Sequence, residues 1–141
     1  MTAPSSYTRI VLAERPKEHI VPDVTFKRTT LSFSDLKPTA GEVVVKINYL
    51  SLDPAMRGWL NDKRSYIPPV QIGEVMRAGA VGTVVSVGEH TKLSAGDLVS
   101  GTLGTQWLVN YWSNKQTYSL GTVAGWQEYA LVKEKDVQKI Q

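Results

Sequence analysis

The 141 residues are 42% apolar and 21% charged, the balance of an ordinary globular chain of single-domain size rather than of a disordered one. Cysteine is absent and only His19 and His90 occur as imidazoles, far apart and without ligand spacing, which excludes disulfides and argues against a zinc centre. The net charge of +3 comes from 16 basic and 13 acidic residues scattered without a basic block, so a solvated surface is expected rather than a nucleic-acid face.

The first nine residues, Met1–Arg9, contain no apolar h-region, and no apolar run reaches the roughly 20 residues that span a bilayer. The expectation is a cytosolic protein with no membrane or nucleic-acid partner. Ile10-Val11-Leu12 reads as an opening strand closed by Pro16. Glu42–Leu50 places Val43, Val45, Ile47 and Tyr49 at period two, which predicts a half-buried strand with Tyr49 as a core aromatic. A short helix is expected over Asp53–Leu60. There the Asp53 carboxylate would cap free amides, and Pro54 would take the first helical position, where its missing N–H costs nothing.

Tyr66-Ile67-Pro68-Pro69 must be stiff and extended, because each proline fixes its own φ and restricts its predecessor. Val81–Val87 reads as a strand with Val81, Val85 and Val87 on one face. Gly88–Gly96 is a polar connection into Leu98-Val99, and Trp126–Val132 is a last strand before a charged tail, Lys133–Lys139. Gly79-Ala80-Val81-Gly82 and Gly101-Thr102-Leu103-Gly104 have glycines at loop-like spacing. A dinucleotide fingerprint must open a helix, whereas Gly82 leads into the β-branched run Thr83-Val84-Val85, so close strand packing is the better reading. By itself this succession supports an all-β barrel or sandwich.

Tyr49–Leu60 reads Y-L-S-L-D-P-A-M-R-G-W-L. With Ser65–Pro69, Gly73–Gly79, Gly82–Val85, Gly96–Val99 and Gly125–Tyr129, it resembles the zinc-independent medium-chain dehydrogenase/reductases. The resemblance is to the branch of alkenal double-bond reductases and prostaglandin reductases. It implies a mainly β fold, the GroES-like N-terminal barrel with one or two short helices, and a chain without the nucleotide-binding Rossmann domain. It implies hydride transfer from NADP(H) to an α,β-unsaturated carbonyl, without zinc. It also implies a missing nucleotide-binding domain as partner and a homodimeric intact enzyme, with the isolated chain inactive and binding no cofactor. A free-standing binding module and a fragment of a quinone-reductase-type enzyme are the alternatives.

No catalytic residue is assigned to this domain. The substrate-pocket candidates are Tyr66, Arg57 and Met56. In similar reductases a tyrosine before the paired prolines borders the enone pocket, and the helix carrying Met56-Arg57 lies at the cleft and the domain junction. Ala55 stands where many relatives have tyrosine. A local Asp53–Arg57 ion pair, worth a few tenths of a kcal/mol if exposed, and a barrel-edge Tyr66 are the bland readings of the same residues. Glu14/Glu18 and Glu128/Glu134 show no sign of a shared pocket.

One stretch departs from the family pattern. Excising Thr105–Gly125 joins Gly101–Gly104 to Trp126–Tyr129 as G-T-L-G-W-Q-E-Y, the expected run. The segment is either a natural loop extension or the translation of a retained intron; a Gly104 codon can end in GT and Ala124-Gly125 codons can span an AG, which favours the second.

Overall fold

The computed structural model describes residues 3–65, 68–101 and 125–141. The segment Thr105–Gly125, except Gly125 itself, and the candidate Tyr66 lie outside these described residues. What is described is mainly β, with two short helices.

Strands β1 (Ser6–Leu12) and β2 (Phe26–Ser32) form an antiparallel pair with Leu12 opposite Phe26. Between them α1 (Pro22–Thr25) is a single turn that starts on proline, where the missing N–H is no loss. Strand β2 carries no apolar alternation, only the β-branched Thr29-Thr30 between charged residues and Leu31. Its pairing with β1 therefore comes from the ladder and not from a buried face.

The larger sheet is antiparallel throughout, in the order β6-β3-β4-β5-β7. Its strands are β3 (Glu42–Leu50), β4 (Ala80–Val87), β5 (Leu98–Gly101), β6 (Tyr129–Lys133) and β7 (Gln138–Lys139). Strand β1 is tied to the segments leading into the larger sheet by isolated bridges, Arg9 to Gln127 and Val11 to Val75, and by the Ile10 N–H donating to the Trp126 carbonyl at 2.7 Å. Among the described residues there remain two open sheets rather than one continuously laddered barrel.

Two expectations about facing are corrected. The β3–β4 ladder slips between Val44 and Val45 and again between Ile47 and Tyr49, leaving Val85 and Asn48 without partners. Each slip reverses the phase of the strand that carries the extra residue. Val84, Gly82 and Ala80 consequently face inward, while Val85 and Val87 are exposed. Past the second slip Tyr49 points to solvent, 75% exposed, and is no core residue. The last strand also starts later than expected, at Tyr129, and the presumed charged tail folds back as a 3-10 turn (Glu134–Asp136) and β7.

Two apolar clusters result. One centres on Val43, Val45, Val84 and Val132 inside the five-stranded sheet. The other packs Leu12, Met56, Leu60, Val70 and Met76 beneath the loops that follow β3. Gly82 lies where β3 and β4 approach most closely. A Cβ there would collide with the Lys46 carbonyl and with Val45 Cγ1, which explains glycine in a strand without any phosphate-binding role.

The sheet edge is closed by charge. Lys139 Nζ lies 2.7 Å from Asp97 Oδ1, and the Ile140 N–H donates to the Leu98 carbonyl at 2.9 Å. The hydrogen bond from Lys139, aided by the Ser94 N–H, holds the Asp97 carboxyl below its ordinary value of 3.8.

Gly82→Ala is expected to lower unfolding free energy by about 1–3 kcal/mol through overpacking, measurable by denaturant titration. The stabilisation from Asp97 is complete above its unfolded value of 3.8 and disappears as pH falls through the lower folded value. Asp97→Asn should therefore lose stability at neutral pH and show a flatter decline in melting temperature over that acid range.

Candidate functional site

Helix α2 (Ala55–Trp59) follows directly from β3 and is the hub of the candidate site. It starts two residues later than Asp53–Leu60 implied and ends one residue earlier, and its cap is Pro54 with no side-chain capping bond. The Asp53 carboxylate accepts from the Ser51 hydroxyl instead, while the Asp53 backbone carbonyl accepts the Met56 N–H at 3.0 Å. Proline in the cap position supplies the turn geometry, which frees the carboxylate from capping.

The expected Asp53–Arg57 ion pair does not form. Arg57 Nη1 donates to Asn61 Oδ1 at 2.9 Å and Nη2 donates to the Glu18 carbonyl at 3.2 Å. Both acceptors are uncharged, so Arg57 acts as a bracket between α2 and the segment after β1. Arg15 makes the reciprocal link, its Nη1 donating to the Leu60 carbonyl at 2.9 Å.

Met56 is only 6% exposed and packs with Leu12, Leu60 and Met76. The burial follows from helical spacing: Met56, Trp59 and Leu60 at i, i+3 and i+4 form one inward stripe. Met56 thus seats the helix on the core, and of the three sequence candidates only Arg57 is described as partly exposed. The residues that face outward at this end are Tyr49 and Leu52, 75% and 73% exposed, with Leu50 between them. The Ser51 N–H donates to the Gly79 carbonyl at 2.8 Å, and so ties this apolar strip to the start of β4.

The sequence reading missed Arg77. Its side chain is buried, yet it carries a charge, and every partner is polar. Nη1 donates to the Pro68 carbonyl at 2.8 Å, Nη2 to the Pro69 carbonyl at 3.2 Å, and Nε to Glu74 Oε1 at 3.3 Å. Glu74 also accepts the Gln71 N–H at 2.8 Å. The available signal was the i, i+3 spacing of Glu74 and Arg77 a few residues after two prolines, which offer carbonyls but no N–H.

Two further carboxylates serve the backbone. Glu128 Oε2 accepts the Thr8 N–H at 2.6 Å, and Glu134 Oε1 accepts the N–H groups of Lys92 and Leu93 at 2.6 and 2.8 Å. None of them pairs with another carboxylate as general acid–base chemistry would require. Among the described residues no cluster of three or more His, Asp or Glu could hold a metal ion. No described helix is long and apolar enough to cross a membrane.

A dinucleotide does not fit the described residues. Gly79–Gly82 enters strand β4 rather than a helix, and α1 and α2, of four and five residues, are too short to present a row of free N-terminal amides to a pyrophosphate.

Fold and site together define a class: a β-rich domain whose described residues form no nucleotide cradle. Residues 8–120 match the family described as the N-terminal domain of oxidoreductase, and the chain belongs to that family, within the medium-chain dehydrogenase/reductases. It is 36% identical over 133 residues to the NADPH-dependent curcumin reductase of Escherichia coli (strain K12), covering 94% of this chain and 31% of that protein. It is 34% identical over 140 residues to YfmJ of Bacillus subtilis (strain 168), an NADP-dependent oxidoreductase by name, covering 99% of this chain and 33% of that one. Crystal structures of CurA from Vibrio vulnificus, alone and in complex with NADPH, superpose with TM-scores of 0.71 and 0.69. Their identities are 32% and 31%, over 94% of this chain and 32% of theirs. The chain therefore spans about a third of the length of the relatives it matches.

Met56→Ala is expected to cost about 2–5 kcal/mol by emptying a core position. Arg57→Ala should cost about 1 kcal/mol or less, because its bonds are partly exposed and made to neutral acceptors. Equilibrium unfolding of the two variants measures the difference; equal costs would contradict the separate roles given to them.

Proposed function

We propose that this chain is the substrate-side domain of an NADP-dependent oxidoreductase that reduces the C=C bond of α,β-unsaturated carbonyls. The observation that carries this reading is the Tyr49–Leu60 motif, folded as strand end, turn and seated helix in a chain that matches one third of NADPH-dependent relatives. Curcumin carries conjugated carbonyls, the substrate class that the motif resemblance implies, and the E. coli relative is named for its reduction.

NADPH supplies the hydride in such a reaction and belongs, on this reading, to a separate nucleotide-binding domain. This domain supplies the rigid wall opposite it. The Tyr49–Leu52 strip is its junction face, since an apolar edge of this kind gains by being covered. Tyr66 and Arg57 border the cleft, with Met56 holding the helix that carries Arg57. The principal groups polarising the carbonyl oxygen lie on the other domain, because the described residues offer no convergent donors at an exposed site. The same reading makes the completed enzyme metal-free, cytosolic and dimeric.

Two measurements test it. Calorimetric titration of the chain alone with NADPH should give no saturable heat, and a micromolar dissociation constant would overturn the division of labour. Joined to the remaining two thirds of the E. coli relative, the chain should support NADPH oxidation at 340 nm that depends on a short 2-alkenal. Oxidation with a saturated ketone but not with the alkenal would replace this substrate class with another.

A further inference from the structure

We infer that Arg77 is a positioning residue: its guanidinium fixes the course of the Pro68–Pro69 segment and, through it, the shape of the substrate-side wall. The second half of this inference rests on the proposed function; the first does not.

Successive prolines pose a specific problem of anchorage. Neither carries an N–H, so their segment cannot donate into a ladder, and its carbonyls are its only backbone handles. Arg77 takes both, Nη1 to Pro68 and Nη2 to Pro69, at 2.8 and 3.2 Å. A planar fork suits two neighbouring carbonyls, which an ammonium acting as a point charge could not hold together.

The rest of the cage completes the clamp. Burying a guanidinium without neutralisation is costly, and Glu74, three residues earlier, faces it at 3.3 Å. The same Glu74 carboxylate accepts the Gln71 N–H at 2.8 Å, and Gln71 Nε2 returns a bond to the Pro69 carbonyl at 3.0 Å. The Val70 N–H reaches the Trp59 carbonyl at 2.8 Å and so fastens the same segment to α2. The Arg77 backbone is itself held by an isolated antiparallel bridge to Gly125. Arg77 takes both proline carbonyls, and the Val70 and Gln71 bonds extend the same clamp to its neighbours.

The experiment compares Arg77→Lys, which keeps the charge opposite Glu74, with Glu74→Gln/Arg77→Met, which removes both charges should the single variant fold poorly. In the chain alone, amide exchange at Val70, Gln71 and Glu74 should quicken by about tenfold or more in both variants. The sheet amides of Ile47 and Val84 should stay at their wild-type rates, as local opening requires. Equal acceleration at all five amides would mean general destabilisation, and no change at the three would mean no clamp; either overturns the inference. In the two-part enzyme described above, Arg77→Lys should raise KM for the alkenal several-fold with kcat within about twofold, the pattern of lost uniform binding. A wild-type KM beside accelerated local exchange overturns the positioning role and leaves the proposed function standing. Loss of alkenal reduction in the unsubstituted two-part enzyme removes the proposed function, while the exchange data still decide the clamp.

Discussion

Strand β3 lies between β6 and β4, and its pairing with β4 slips twice along its length. Val43, Val44 and Val45 are all buried before the first slip takes effect, so this half of the strand is locked on both faces. After the second slip the strand has turned its apolar residues outward, and Tyr49, Leu50 and Leu52 emerge at the surface. A bulge is a cheap way to re-aim side chains without breaking a ladder. Here it separates a core half from a presenting half within nine residues. The approach of the two strands depends on Gly82, where a side chain would strike the Lys46 carbonyl.

Everything that follows β3 inherits its direction from that turn. Helix α2 has no side-chain cap and only five residues, so it owes its stability to tertiary packing rather than to propensity. Met56, Trp59 and Leu60 provide that packing, while Arg57 and the reciprocal Arg15 bracket it to the segment after β1. The Pro68–Gly79 stretch shares that packing through Val70, Met76 and Ala78, and adds carbonyls and a carboxylate around a buried guanidinium. Apolar burial fixes where the helix sits, and polar geometry fixes how the neighbouring segment is oriented. The first is tolerant of shape, the second is directional.

On the proposed function, the domain supplies one side of a two-sided site. The family match and the relatives, three times its length, place the chain with the N-terminal domains of NADP-dependent oxidoreductases. The described residues form no nucleotide cradle, and the Glu128 and Glu134 carboxylates are occupied with backbone amides. On that reading, such a domain contributes by holding a surface still. Reactions that need two partners within about 3–3.5 Å gain from a rigid wall as much as from a reactive group.

Much was legible in the residues alone. Turn residues, period-two stretches and the Asp-Pro pair located β1, β3, β4 and α2. The motif run around Tyr49–Leu60 and Gly73–Gly79 identified the family. These are local or compositional signals, carried by residues within a few positions of each other. The facing of Tyr49, Val84 and Val85 was not legible, because it depends on where two strands slip against each other, and no single strand records that. Strand β2 escaped for a related reason: its sequence has no apolar face, and only a partner strand makes it a strand. The roles of Met56 and Arg77 were decided the same way, by which carbonyls and side chains converge from distant positions. Sequence determined the elements and the kind of chemistry available to them; tertiary structure determined which side chains are buried, paired or presented, because burial and hydrogen bonding are properties of neighbours that the chain brings together only on folding.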